Sequence, residues 1–164
     1  MLIVAKSLKD FSFSKLMEIY AEGNLENAQE LWPDEPAGRQ LALAEEEFYL
    51  YLYQVFFRTE GACYLIWQVH GRYVSALRLE PYRDGLLLEA LETAPEYRRK
   101  GFAAELVRAA QGYAAGTKIY SHVNKGNLAS LRTHEKCGFE RILESAVYID
   151  GSADNKSCTF CYTP

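Results

Sequence analysis

One segment constrains the fold more than any other: Leu86-Leu-Leu-Glu-Ala-Leu-Glu-Thr-Ala-Pro-Glu-Tyr-Arg-Arg-Lys-Gly-Phe-Ala103. An apolar strand runs out at Thr93, a turn containing Pro95 follows, and Gly101 stands where a helical stripe of Phe102, Leu106, Val107 and Ala110 begins. Helix starts leave backbone N–H groups unpaired and carry about half a positive charge. A glycine there lets an anion approach the backbone, and Arg98, Arg99 and Lys100 reinforce the field. The guest this predicts is a pyrophosphate. The plainer reading is a basic, solvated first turn. The G-x-x-x-x-G-K-[ST] spacing of a nucleotide P-loop is absent.

The chain has 164 residues, which favours one domain over 1–164. A chain of this size hides roughly two-thirds of its unfolded surface, enough for a core without disulfides. Hydrophobic residues make up 49% and charged residues 24%, a globular composition that excludes collagen, coiled coil and disorder. Lys plus Arg is 18 and Asp plus Glu is 22, a net charge of −4 that argues against a nucleic-acid partner and suits a cationic one. No run reaches the roughly 18 apolar residues of a membrane helix. Met1 to Asp10 lacks the long apolar stretch of a signal peptide, so Cys63, Cys137, Cys158 and Cys161 read as reduced thiols in a cytoplasmic protein.

Periodicity predicts a short strand over Leu2–Val4, then a helix with Leu16, Met17, Ile19 and Tyr20 on one face. A break is expected at Gly23-Asn24, with helix resuming over Leu25–Trp32 and a two-proline loop over Trp32–Pro36. Phe48 to Tyr53 alternates as a strand would, but Leu41-Ala-Leu-Ala-Glu-Glu-Glu favours one long helix from Arg39 to about Arg58. Three antiparallel strands follow, Ala62–Val69, Arg72–Glu80 and Leu86–Thr93, joined by His70-Gly71 and by Pro81–Gly85. A helix over Phe102–Ala115, a strand over Lys118–Val123, a helix over Asn127–Cys137 and a hairpin of Phe139–Ile149 with Ser157–Tyr162 complete the order. The class is α+β: a mixed, mostly antiparallel central sheet flanked by helices.

A second segment, Asn127-Leu-Ala-Ser-Leu-Arg-Thr-His-Glu-Lys-Cys-Gly-Phe139, begins with a helix-capping asparagine and ends with a helix-closing glycine. Together the two segments resemble the hallmarks of the GNAT acetyltransferase superfamily, V-x-P-x-[YF]-[RQ]-x-x-G-x-[GA] and N-x-x-[AS]-x-x-[LM]-[YH]-x-x-x-G-F. The first is Thr93 to Ala103 here. Thr93 stands where a β-branched apolar residue is usual, Ala103 replaces the commoner second glycine, and His134 occupies the position of a frequent tyrosine.

The resemblance implies the GNAT acyl-CoA N-acyltransferase fold, with acetyl-CoA in a V-shaped gap beside the strand that ends at Thr93. The pantetheine arm is then expected along Leu91, Glu92 and Thr93. The pyrophosphate is expected near Arg98, Arg99, Lys100, Gly101, Phe102, Ala103 and Ala104, with Asn127 and Ser130 approaching from the other side. The activity implied is N-acetyl transfer to a primary amine of a small molecule or peptide, by direct attack in a ternary complex.

An amine with pKa near 10 must lose its proton before attack, the oxyanion needs a donor, and the thiolate can need a proton. Glu89 is the expected base. Strand alternation puts it on the face of Leu91 and Thr93, with Glu92 on the other. Its plainer reading is a strand glutamate paired with Arg78. A backbone N–H near Leu91 or Glu92 is the expected oxyanion donor. His134, where the resemblance places a proton-donating tyrosine, is the expected acid. His122 reads as a structural histidine. Cys158-Thr-Phe-Cys161 is not read as a metal site, because on a strand its two thiols point to opposite faces.

The resemblance also puts the acceptor between the first two helices and the last hairpin, near Tyr20, Trp32, Glu35, Tyr49, Tyr53 and Tyr148. Two other readings stand beside this one: a CoA-binding regulatory domain without turnover, and a partner-binding module using Phe48–Phe57, which is equally a core or homodimer seam.

Overall fold

The computed structural model describes residues 1–164. Seven strands form one sheet in the order β1 (Leu2–Ala5), β2 (Cys63–Val69), β3 (Arg72–Tyr82), β4 (Gly85–Thr93), β5 (Lys118–Asn124), β9 (Ser157–Tyr162) and β6 (Glu140–Leu143). Every neighbouring pair is antiparallel except β4–β5. Helices α1 (Phe13–Leu31) and α2 (Ala37–Gln54) cover one face, whose core includes Leu16, Ile19, Leu52, Phe56, Tyr64 and Ile66. Helices α3 (Phe102–Ala114) and α4 (Leu128–Lys136) cover the other, over Leu65, Leu77, Leu79, Leu88, Val123 and Phe160. Both sheet faces are therefore dry, which is why β2 and β3 read as nearly continuous apolar runs.

Four expected boundaries move. α1 runs unbroken through Gly23 and Asn24, because Asn24 is buried between turns that also bury Met17, Tyr20 and Ala28. Tertiary burial there outweighs the roughly 1 kcal/mol helix penalty of a glycine. β3 continues through Pro81 to Tyr82. Its β2 partner ends earlier, at Cys63↔Leu79, so the missing N–H of Pro81 falls on a free edge. The strand expected over Phe139–Ile149 divides. β6 stops at Leu143, and β7 (Ala146–Val147) pairs instead with β8 (Ala153–Asp154) in a two-stranded flap. The helix expected to Arg58 ends at Gln54, and a single 3₁₀ turn covers Phe56–Arg58.

The parallel pair sets the site. β4 and β5 pair from Gly85↔Lys118 to Leu88↔Ser121 and then separate. Beyond Leu88 the edge of β4 has no strand beside it, and a wedge opens between the two strands.

Candidate active site

The wedge holds a cavity of about 170 Å³, bounded by Glu89 to Leu91 on β4, His122 to Asn124 on β5, and Asn127, Ser130 and His134 at α4. Four residues expected at the site, Glu89, Leu91, Ser130 and His134, thus meet in one space, with Asn127 at its rim.

The course of β4 is not a regular alternation. The register against β3 shifts between Arg78↔Glu89 and Ala76↔Glu92, and Ala90 is left-handed at φ 50°. This is a β-bulge: one extra residue reverses the facing of everything beyond it. Glu89 pairs with Arg78 at 3.6 Å, beneath the Tyr51 and Phe56 rings on the α1–α2 face. Glu92, opposite Ala76, is on that same face. Leu91 packs on the α3–α4 core, and Thr93 lies 3.0 Å from the Ser75 hydroxyl. The expected sharing of a face by Glu89, Leu91 and Thr93 is therefore corrected. The bulge puts the apolar Leu91 toward one opening of the wedge and the Glu89 carboxylate toward the other.

The bulge is held from α1. The Tyr20 hydroxyl donates to the Ala90 carbonyl at 2.6 Å and accepts from the Tyr64 hydroxyl at 2.7 Å. Burial raises the Tyr20 phenol well above its usual range, so it stays a donor.

Arg98 does not face the anion site with its side chain. It donates through Nε to the Thr93 carbonyl at 3.1 Å and pairs with Glu22 at 2.8 Å and Glu92 at 3.3 Å. Its guanidinium ties the end of β4 to α1. Arg99 and Lys100 remain exposed, Lys100 over the Tyr97 ring at 5.2 Å. Arg99 and Gly101 are left-handed at φ 61° and 90°, and a Cβ on Gly101 would meet nothing within 4 Å. α3 begins with no side-chain cap, so the first-turn N–H groups of Phe102, Ala103 and Ala104 have no capping partner. That open space beside uncapped amides fits the chemistry of a pyrophosphate. Asn127 caps α4, its side chain accepting from Ser130 N at 3.0 Å.

His134 is buried against Phe139 and Phe160, and burial lowers its pKa. Its Nδ1 lies 2.8 Å from the Ser130 carbonyl, which can only accept, so Nδ1 carries the proton of the neutral ring. Nε2 is then a lone pair, buried without a partner. His122 is satisfied on both nitrogens, by Thr159 Oγ1 and the Val147 carbonyl at 3.0 Å each, yet it lines the wedge.

Glu80 was not among the residues expected at the site, and Arg78 was expected there only as the partner of Glu89. Glu80, diagonal to Glu89, is raised to about 7, chiefly by burial and then by the Glu89 carboxylate. Arg78 lines a second cavity of about 490 Å³ between α1 and α2, which Trp32, Glu47, Phe48 and Tyr51 also line, and reaches the wedge only through its contact with Glu89. Of the expected acceptor residues, Trp32 reaches this cavity. Tyr49 and Tyr53 are exposed, Glu35 pairs with Arg39 at 3.7 Å, and Tyr148 donates to Asp154 in the flap.

The chain belongs to the Acetyltransferase (GNAT) family, whose sequence model matches residues 17–139. Solved structures agree in fold. The PaiA N-acetyltransferase of Thermoplasma acidophilum in complex with coenzyme A superposes with a TM-score of 0.68 at 14% identity, covering 100% of this chain and 99% of that one. The ribosomal-protein-S18-alanine N-acetyltransferase of Escherichia coli gives 0.63 at 15% identity, covering 99% and 94%. A point variant of the spermidine N-acetyltransferase of Vibrio cholerae gives 0.61 at 19% identity, covering 99% and 94%. No curated protein matches in sequence. No helix is long and apolar enough to cross a membrane.

Proposed function

We propose that the protein transfers the acetyl group of acetyl-CoA to a primary amine by direct attack within a ternary complex. The observation that carries this is the divergence of β4 and β5 after Leu88↔Ser121, which opens a wedge with a carboxylate and a buried imidazole on its walls. Past the last pairing with β5, the backbone of Leu91 and Glu92 would align the pantetheine arm, while the N–H and carbonyl of Thr93 are engaged by the Glu92 carboxylate and by Arg98. The amides of Arg99 to Ala104 would hold the pyrophosphate, with Arg99 and Lys100 as exposed cations beside it. Asn127 and Ser130 would border the far side.

Glu89 accepts the proton of the attacking ammonium, directly or through one water, and the bulge directs it to the α1–α2 side from which an acceptor enters. A backbone N–H near Leu91 or Glu92 stabilises the oxyanion, a preorganised dipole that needs no reorganisation. His134 is the acid for the departing thiolate only as imidazolium, since the neutral ring has its proton committed to Ser130. Its contribution therefore belongs to the acid side of the pH profile.

Release of free thiol from acetyl-CoA across a panel of amines tests the reading. Turnover of at least one amine is expected. Binding of acetyl-CoA with no turnover would favour a regulatory CoA-binding domain instead.

A further inference from the structure

We propose that the acceptor is a free α-amino acid with an apolar side chain, and that Arg78 binds its carboxylate. This rests on the acetyl-transfer reading and names its substrate class. Arg78 belongs to one cavity and its ion-pair partner to the other. It lines the space between α1 and α2 and faces Glu89, which lines the wedge. At about 490 Å³ the α1–α2 cavity lies in the range of small-molecule sites, roughly 300–1,000 Å³.

The guanidinium is under-used by the protein. Its contact with Glu89, Nη2 to Oε2, is 3.6 Å, too long for a hydrogen bond. Its Nε is buried with no partner. Buried donors are nearly always paired, and a guanidinium has five N–H groups shaped for a carboxylate fork. Tyr51 and Phe56 rings, 4.9 and 5.5 Å from its central carbon, hold the group in place.

Charge and shape point the same way. Below about pH 7, where Glu80 keeps its proton, Arg78 and Glu89 form one balanced pair. An α-amino acid carries its ammonium and carboxylate on one carbon. It offers each member of that pair its opposite charge, with the amine at Glu89. Its side chain is then left to a cavity whose walls are mostly apolar, Leu31, Trp32 and Phe48 among them, with Asn24, Asn27 and Glu47 as the other polar lining. A polyamine would leave Arg78 facing a cation.

Matched acceptors differing only in the carboxylate test this: L-phenylalanine against 2-phenylethylamine, and L-leucine against 3-methylbutylamine, with free thiol as readout. The amino acid should be favoured in kcat/KM by about tenfold or more, the size of one charge-assisted contact. Arg78→Met, and Arg78→Lys should the first not fold, should shrink that ratio by about tenfold. Equal rates within a pair, or preference for the plain amine, overturn the assignment.

A second readout needs no turnover. 3-Phenylpropionate, which has ring and carboxylate but no amine, should quench Trp32 fluorescence in the wild type and not in the Arg78 variants, with Trp32→Phe identifying the signal. Quenching that depends on Arg78, without thiol release from any amine, keeps the carboxylate site and rejects acetyl transfer. No quenching, or quenching unchanged in the Arg78 variants, removes the site.

Discussion

The Tyr20 hydroxyl donates to the Ala90 carbonyl at 2.6 Å, fastening α1 to the one left-handed residue of β4. That bond couples packing to chemistry, because the bulge at Ala90 decides which way Glu89 faces. Tyr20→Phe removes the donor and leaves the Tyr64 hydroxyl, which donates to Tyr20, without its acceptor. A loss of about 1–2 kcal/mol in urea unfolding at unchanged m is expected, together with reduced turnover. A variant as stable and as active as the wild type would show that the bulge is held by other contacts.

Glu89 is the proposed base, and Glu89→Gln keeps its shape while removing its basicity. Turnover should fall about a hundredfold or more. The thermal shift given by acetyl-CoA should survive. Undiminished turnover would take Glu89 out of the mechanism and leave it the strand partner of Arg78.

Glu80 gives a pH signature in stability. Its carboxyl is raised from 4.5 to about 7 by burial and by Glu89. Between those values the folded chain holds a proton that the unfolded chain has released. Stability therefore falls as pH rises through that window, and the penalty is complete above about 7. Glu80→Gln has no such titration. Its melting temperature should climb relative to wild type between pH 4.5 and 7.5 and level off beyond. A difference independent of pH would contradict the assignment.

His134 gives a signature in rate. Burial lowers its pKa from 6.5, so the imidazolium thins out as pH rises through the weakly acid range. The rate advantage of wild type over His134→Gln should grow as pH falls below the ordinary imidazole value of 6.5 and be small at and above it. An advantage that grows with pH would mean that the neutral ring is the working form.

Local signals in the sequence were strong where a single residue type does a single job. Pro95 and Gly101 marked the turn and the start of α3, Asn127 the cap of α4, and Gly138, at φ 81°, its end. The two hallmark segments therefore located the wedge. The bulge was not legible, because alanine carries no preference for a left-handed conformation and the register shift is set by β3 and by Tyr20. Glu89 was found from its position in β4, while the direction it faces was not. Glu80 was hidden for a similar reason, since only cross-strand pairing brings it to Glu89, whereas Arg78 was expected as the strand partner of Glu89 but not as a cavity wall. The unbroken α1 shows the same limit from the other side, since the burial that carries it past Gly23 depends on the sheet beneath.

The anion site proposed for acetyl-CoA at the start of α3 is tested most directly by thermal unfolding with the ligand. At a hundredfold excess over Kd the wild-type midpoint should rise by about 5–10 °C. Gly101→Asp sets a carboxylate where the pyrophosphate would rest and a side chain where the backbone sits at φ 90°. Against its own ligand-free midpoint, that variant should show little or no rise. No rise in the wild type, or an equal one in Gly101→Asp, would contradict the account.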